Sequence, residues 1–268
     1  MLIASGLLLL SLAAASLEKP NEPADAAVYL NAFEQENALD ALPKHRPAEC
    51  FAIVADPEDQ SNHALELTIE EAAHYGGSFH VALTNAEGVE PTRAYLRYRL
   101  RLGESWAPKH GGKLPGFNGT YNTAGWGGRP SDGKNGWSAR GLFGPLDDAG
   151  LTPIGSYIYH ADTVEQDQTY GNSERWDVKL ERGRWYTIEQ EIQLETVSAD
   201  GGQADGWLRA WVDGKLVFDR QNLHVRDTDA LKIESVWMNL YYGGKVPAPS
   251  EMSLLIDDFE VRHERPEA

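Results

Sequence analysis

Three short segments carry groups that could do chemistry together: Lys113-Leu-Pro-Gly116, Ser138-Ala-Arg140 and Tyr157-Ile-Tyr159. They offer an amine, a hydroxyl, a guanidinium and two phenols. Cations hold carboxylates, and phenols can give or take protons beside them. Applied to a polymer of uronic acid, this set suits β-elimination. The C5 proton lies next to the carboxylate and is weakly acidic. A cation on that carboxylate stabilises the enediolate-like charge that develops as the proton leaves. A base must take the proton, and an acid must protonate the departing glycosidic oxygen. Tyrosine can do both, although a pKa of about 10 suits a neutral-pH base poorly. Lys113 and Arg140 are expected to lower it by favouring the phenolate.

Period-two geometry would assemble these groups. Ser138 and Arg140 share one face of a strand, as do Tyr157 and Tyr159. If the two strands pair, facing Cβ atoms lie about 4.5–5.5 Å apart and the four groups form one polar patch. Glycines and proline in Gly111-Gly-Lys-Leu-Pro-Gly116 are expected to fix a bend that presents Lys113 at the patch edge. Trp126 and Trp137 are close in sequence and offer stacking surfaces for sugar rings. His160 follows the tyrosines; a regular strand points it away, and only a twist would add it to the binding set. Taken singly, each segment has a plainer explanation in packing, a polar strand face or a turn. Their combination and order carry the specificity.

The positioning elements are strands. Leu96, Tyr98, Leu100 and Leu102 alternate with Arg97, Arg99 and Arg101, a row read as a solvated face. Tyr186, Ile188, Ile192 and Leu194 alternate with Thr187, Glu189, Glu191 and Gln193. Trp207 to Val212 runs through Asp213-Gly214 into Lys215 to Phe218, a strong hairpin signal. Phe51 to Ala55, Ala64 to Ile69, Ser78 to Thr84, Ile233 to Tyr242 and Ser253 to Val261 are further strands. Glu70 to His74 is the one short helical turn expected. Many short strands with glycine-rich turns predict an all-β fold, a two-sheet antiparallel sandwich of jelly-roll, concanavalin-like type with a concave substrate groove.

Residues 2 to 17 are an apolar core followed by small residues, the pattern of a secretory signal peptide over residues 1–17. A secreted or periplasmic protein follows, with no membrane association after cleavage. Residues 18–50, with Pro20, Pro23, Pro43 and Pro47, form a partly ordered lead-in, and 51–263 a single domain. Cys50 is the only cysteine, so no internal disulfide forms; it is read as a small buried hydrophobe. The net charge of -17 argues against nucleic acid or an anionic membrane as partner. It also means that an acidic polymer must meet a local gathering of cations. A monomer is expected.

The combination resembles the polyuronate lyases of polysaccharide lyase family 14, the alginate-lyase group, and the related glucuronan lyases. The resemblance covers roughly residues 95 to 261. It runs from Tyr98-Arg-Leu-Arg-Leu102 through the three segments above to Gly183-Arg-Trp-Tyr186, Asp205 to Gly214, Tyr241-Tyr-Gly-Gly244 and Ile256-Asp-Asp-Phe-Glu-Val261. It implies a jelly roll with substrate in the concave face and puts Lys113, Ser138, Arg140, Tyr157 and Tyr159 on the family's active-site positions. Tyr241 joins Trp126, Trp137 and His160 as a candidate substrate-binding residue. The segment Phe117 to Gly136 departs from the alginate lyases, which bears on which polyuronate is cut and whether the groove is open at both ends.

Two other classes fit part of the pattern. A non-catalytic carbohydrate-binding module of concanavalin-like type explains the tryptophans but leaves the Lys/Arg/Tyr/Tyr grouping unused. A glycoside hydrolase needs two facing carboxylates about 5–5.5 or 6.5–9.5 Å apart; Glu189 and Glu191 are the nearest same-face pair. The eight histidines show no zinc-binding spacing. No cofactor is required, and Asp257-Asp258 is the one candidate for a structural calcium site. Asn118-Gly-Thr120 is a glycosylation sequon beside Lys113, where a glycan would obstruct the groove.

Overall fold

Alternation of buried and exposed side chains sets the architecture seen in the computed structural model, which describes residues 27–266 except Glu36, His45, Arg46 and Glu165. Residues 1–17, read from the sequence as a signal peptide, lie outside the described residues. In chain order the strands are β1 (Tyr29–Asn31), β2 (Phe51–Ala55), β3 (His63–Ile69), β4 (Tyr75–Ala82), β5 (Arg93–Leu102) and β6 (Gly112–Gly119). There follow β7 (Trp137–Phe143), β8 (Thr152–Tyr159), β9 (Asn172–Leu180), β10 (Trp185–Gln193), β11 (Val197–Ser198) and β12 (Gly201–Gly202). The last four are β13 (Gly206–Val212), β14 (Lys215–Leu223), β15 (Ser235–Tyr242) and β16 (Met252–Arg262).

They form the expected all-β, two-sheet antiparallel sandwich of jelly-roll type. One sheet runs β14-β13-β10-β5-β16-β3-β2, with β1 also paired to β16; the other runs β4-β15-β6-β7-β8-β9. Leu96, Tyr98, Leu100 and Leu102 of the first sheet meet Val236, Met238, Leu240 and Tyr242 of the second, all at most 1% exposed. Each such residue stabilises the sandwich by roughly 1.5–3 kcal/mol relative to exposure. Cys50 is free and buried in this core, as its sequence context suggests. Asp213 and Gly214 both adopt positive φ (51° and 75°), the turn that suits a two-residue hairpin.

Some expectations change. Glu70 to His74 forms a turn rather than a helical turn, closed by the Ala73 N–H on the Glu70 carbonyl at 3.1 Å. Strand β4 starts three residues earlier than expected, at Tyr75, because Gly76 and Gly77 extend it. A Cβ on Gly76 would come 2.5 Å from the Ile69 side chain, so close packing of β4 on the core requires glycine there. Strand β9 is an edge strand whose outward residues are polar and whose inward Trp176 and Leu180 are buried. The arginine row is on the outer face of the first sheet, where Arg97 meets Glu260 (3.9 Å) and Arg99 meets Asp257 (3.1 Å). It is a solvated, ion-paired face.

Candidate active site

Strands β6, β7 and β8 lie side by side in the six-stranded sheet. Their residues Leu114, Phe117, Trp137, Ala139, Phe143, Ile154 and Ile158 are buried between the sheets. The alternate positions Ser138, Arg140, Tyr157 and Tyr159 therefore face the groove. Register places Ser138 opposite Tyr159 and Arg140 opposite Tyr157, the pairing that alternation implies.

Lys113 reaches this patch by a different route from the expected edge bend. Strand β6 is central, between β15 and β7. Its pairing with β7 steps from Leu114–Gly141 to Gly116–Arg140, leaving Pro115 as an extra residue. This bulge reverses the parity of the strand. Counting back by twos from Asn118 would put Leu114 in the groove and Lys113 in the core; instead Leu114 packs inward and Lys113 faces the groove. Proline fits a bulge because it has no ladder N–H to lose. Its carbonyl accepts a hydrogen bond from Gln190 Nε2 of the opposite sheet at 2.9 Å.

The electrostatics centre on two cations without acidic partners among the described residues. Arg140 is 6% exposed, donates from Nη1 to Asn239 Oδ1 at 3.2 Å, and lies 4.6 Å from the Trp237 ring centroid. Its Nε has no hydrogen-bond partner among the described residues. Burial depresses its pKa, four tyrosines partly oppose this, and it remains a cation at neutral pH. Lys113 Nζ lies 3.5 Å from the centroid of the Tyr157 ring. Burial, then the nearby Arg140 charge, lowers its pKa to about 7.

The tyrosines divide into an accessible and a buried phenol. Tyr157 is half-buried, while Tyr159 is 1% exposed; their rings meet edge to face at 5.7 Å. The Tyr159 hydroxyl accepts from the Gly128 N–H at 3.3 Å. The expected lowering of the phenol pKa is corrected for Tyr157. Desolvation raises it, Tyr159 adds to the rise, and Arg140 opposes only in part. Lys113 does little for a phenolate because it is itself partly deprotonated. Ser138 is buried, and its Oγ donates to the Gly125 carbonyl at 2.5 Å, tying down the β6–β7 loop.

Of the binding candidates, Tyr241 lies opposite Lys113 and packs against Tyr75 (5.1 Å) and His74 (5.9 Å). Trp126 is a partly buried loop residue whose ring is covered by the Arg129 guanidinium at 3.9 Å. Trp137 does not face the groove. It is 0% exposed in the core, and its indole N–H donates to the Lys232 carbonyl at 3.1 Å. His160 also lies elsewhere, in a cavity of about 140 Å³ with Asp162, Asn172, Glu174, Arg220 and His224. It sits past the end of β8, where its Nε2 meets the Asn172 side chain at 2.8 Å. Reasoning from sequence missed Trp237, Asn239 and His80. Alternation could have found the first two, since they precede Tyr241 by four and two residues on the same face of β15.

Other possibilities find no support in this geometry. Glu189 and Glu191 are on the opposite sheet, bound to Tyr95, Arg265 and Arg93. The Asn118 side chain is buried and donates to the Ser235 carbonyl and hydroxyl, so the sequon is closed in the folded protein. Among the described residues no group of three or more His, Cys, Asp or Glu is placed to hold a metal. Asp257 accepts from Arg99, Asn62 and the Asp258 N–H, which occupy its oxygens from within the chain. No helix among the described residues is long and apolar enough to cross a membrane.

Comparison with known proteins adds to this picture. The family model "Polysaccharide lyase 14" matches residues 59–249. Comparison with curated proteins gives no match. Among solved structures, alginate lyase vAL-1 from Chlorella virus is 17% identical with a TM-score of 0.68, covering 89% of this chain and 100% of that one. A mutant of alginate lyase Aly36B in complex with alginate tetrasaccharide is 21% identical, TM-score 0.67, covering 90% and 95%. The endo-beta-1,4-glucuronan lyase from the fungus Trichoderma reesei is 16% identical, TM-score 0.52, covering 90% and 92%. At these identities the likeness establishes the fold.

Proposed function

The chain belongs to the polysaccharide lyase 14 family, and we propose that it cleaves a uronic-acid polymer of alginate or glucuronan type by β-elimination in the groove around Arg140. One observation carries the substrate class. Arg140 is a buried guanidinium that meets no acidic side chain among the described residues, and the half-buried Lys113 beside it meets none either. A buried cation is costly without an anion, and a substrate carboxylate supplies one. The buried Arg226, by contrast, has Asp229 at 3.4 Å.

In this reading Arg140 holds the carboxylate and stabilises the charge that spreads onto it as C5 loses its proton. A catalytic base works best when its pKa is near the working pH. Lys113, near 7, has a populated neutral amine at neutral pH and takes the C5 proton. Tyr157, kept protonated by burial, gives its proton to the departing glycosidic oxygen. Tyr159 stands behind it, held by the Gly128 N–H, and favours the neutral Tyr157 phenol; the proton that Lys113 has taken is exchanged through solvent for the one Tyr157 has given, which restores both groups. Ser138 holds the loop over Tyr159. The catalysed bond change leaves a C4–C5 double bond on the new non-reducing end.

The test is to incubate the purified protein with alginate, glucuronan and other polyuronates and follow absorbance near 235 nm. A rise that Tyr157→Phe and Lys113→Arg abolish supports the reading. No rise on any polymer, with binding retained to one of them, would instead make the groove a sugar-binding surface.

A further inference from the structure

Register sets three residues in one line across the sheet: Arg140 on β7 faces Gly116 on β6, which faces Trp237 on β15. Gly116 has no side chain to fill that lane. A Cβ there would lie 2.6 Å from the Arg140 Cα and 2.5 Å from the Ala139 carbonyl oxygen. The Arg140 side chain crosses to β15 and meets two residues at i and i+2 of that strand. Trp237 lies against the guanidinium at 4.6 Å, and Asn239 Oδ1 accepts from Nη1 at 3.2 Å.

The two contacts constrain different freedoms. An aromatic face sets the plane of a guanidinium, and a hydrogen-bond acceptor on one nitrogen sets its rotation within that plane. With Nη1 occupied and Nε buried without a partner among the described residues, the nitrogen left for a ligand is Nη2. An Nη2 held in place gives a carboxylate oxygen a charge-assisted hydrogen bond. Trp237 is held in turn by the edge strand. Its Nε1 donates to Ser78 Oγ at 2.7 Å, and the His80 ring stacks on it at 4.9 Å with 25° between planes. His80 Nδ1 pairs with Ser235 Oγ at 2.9 Å.

We infer that Trp237 and Asn239 are positioning residues that clamp Arg140 so that its Nη2 faces the substrate carboxylate. The inference rests on the lyase reading for the identity of that carboxylate; the clamp itself does not. Asn239 is neutral where an acid would have been easy to supply. An aspartate there would pair with Arg140 and compete with the substrate.

The test uses Trp237→Phe, Trp237→Leu and Asn239→Asp, each checked for a wild-type thermal transition. The first readout is the Arg140 Nε–H resonance in a nitrogen–proton spectrum, assigned by its loss in Arg140→Lys. A fixed guanidinium gives a distinct signal that persists in Trp237→Phe and collapses toward the free-arginine position in Trp237→Leu. The second is KM against kcat on the polymer that is cut. Asn239→Asp should raise KM by about tenfold or more, the scale of one charge-assisted hydrogen bond, with kcat changed much less. An unchanged Arg140 resonance in Trp237→Leu, or an unchanged KM in Asn239→Asp, would overturn the clamp. If the wild type eliminates no polyuronate, the lyase reading fails while the resonance still decides the clamp.

Discussion

Lys113 and Tyr157 stand on strands separated by β7, yet the Lys113 ammonium nitrogen lies 3.5 Å from the centroid of the Tyr157 ring. The aromatic face gives the cation a weak partner in place of a carboxylate. Such a partner does not compensate for burial and the Arg140 charge, so the amine loses its proton near neutral pH. The same burial acts oppositely on Tyr157, whose neutral form is favoured. In the proposed mechanism this one environment separates the base from the acid.

The first prediction concerns pH. The base form of Lys113 is present only above its pKa of about 7, so kcat/KM should rise with pH through that value and then level off. Tyr157 must stay protonated, and its raised pKa places the falling limb above 10. Lys113→Arg keeps a charge but provides no base. It should lose the limb near 7 and about 10²–10⁴ in rate. A variant with a wild-type profile would remove Lys113 from the proton transfer.

The tyrosines should separate kinetically. Tyr157→Phe is expected to lower kcat by about 10²–10⁴ with little change in KM, because the ring and its contact with Lys113 remain. Tyr159→Phe removes the hydroxyl behind Tyr157 and its hydrogen bond from the Gly128 N–H, but no group that reacts, and should cost less. Steady-state kinetics on the cleaved polymer decide this, and an equal or reversed order would exchange the two roles.

Gln190 reports on how the sandwich aims Lys113. Its Nε2 satisfies the Pro115 carbonyl across the core. Gln190→Leu leaves that carbonyl bare and should cost about 1–3 kcal/mol in urea unfolding. Activity should fall with stability, since the bulge at Pro115 determines which side of the sheet Lys113 faces. Full activity in this variant would show that the bulge holds without its cross-sheet bond.

A fourth prediction lies outside the groove. His224 bridges Asp162 (3.1 Å) and Asp227 (2.9 Å), and the Asp227 N–H donates to Gly133 in the β6–β7 loop. Burial opposes charging of His224, but the Asp227 hydrogen bond and both carboxylates outweigh it, so its folded pKa is raised. A raised pKa means that the folded state binds the proton more tightly. This stabilisation is complete below the unfolded value of about 6.5 and is lost as pH rises through the folded pKa. The stability difference between wild type and His224→Gln should shrink across that window. A difference independent of pH would show that the contribution is packing alone.

Alternation alone determined much of this protein. It predicted the sandwich, most strands of both sheets, and the facing of Ser138, Arg140, Tyr157 and Tyr159, because side-chain direction in a strand is local and repeats every second residue. The hairpin at Asp213-Gly214 was legible for the same reason, as two residues carry the turn. Tertiary structure decided what depends on distant neighbours. The bulge at Pro115 reverses the parity that would have buried Lys113, and a glutamine 75 residues away holds it. Trp137 reads as a sugar platform by proximity to Arg140 but faces the core because its parity is odd relative to Ser138. Trp237 and Asn239 join Arg140 only through the order β15-β6-β7, which no local pattern specifies. The protonation of Lys113 and Tyr157 was hidden as well. It depends on whether desolvation or neighbouring charge dominates, and burial depth is a property of the whole fold.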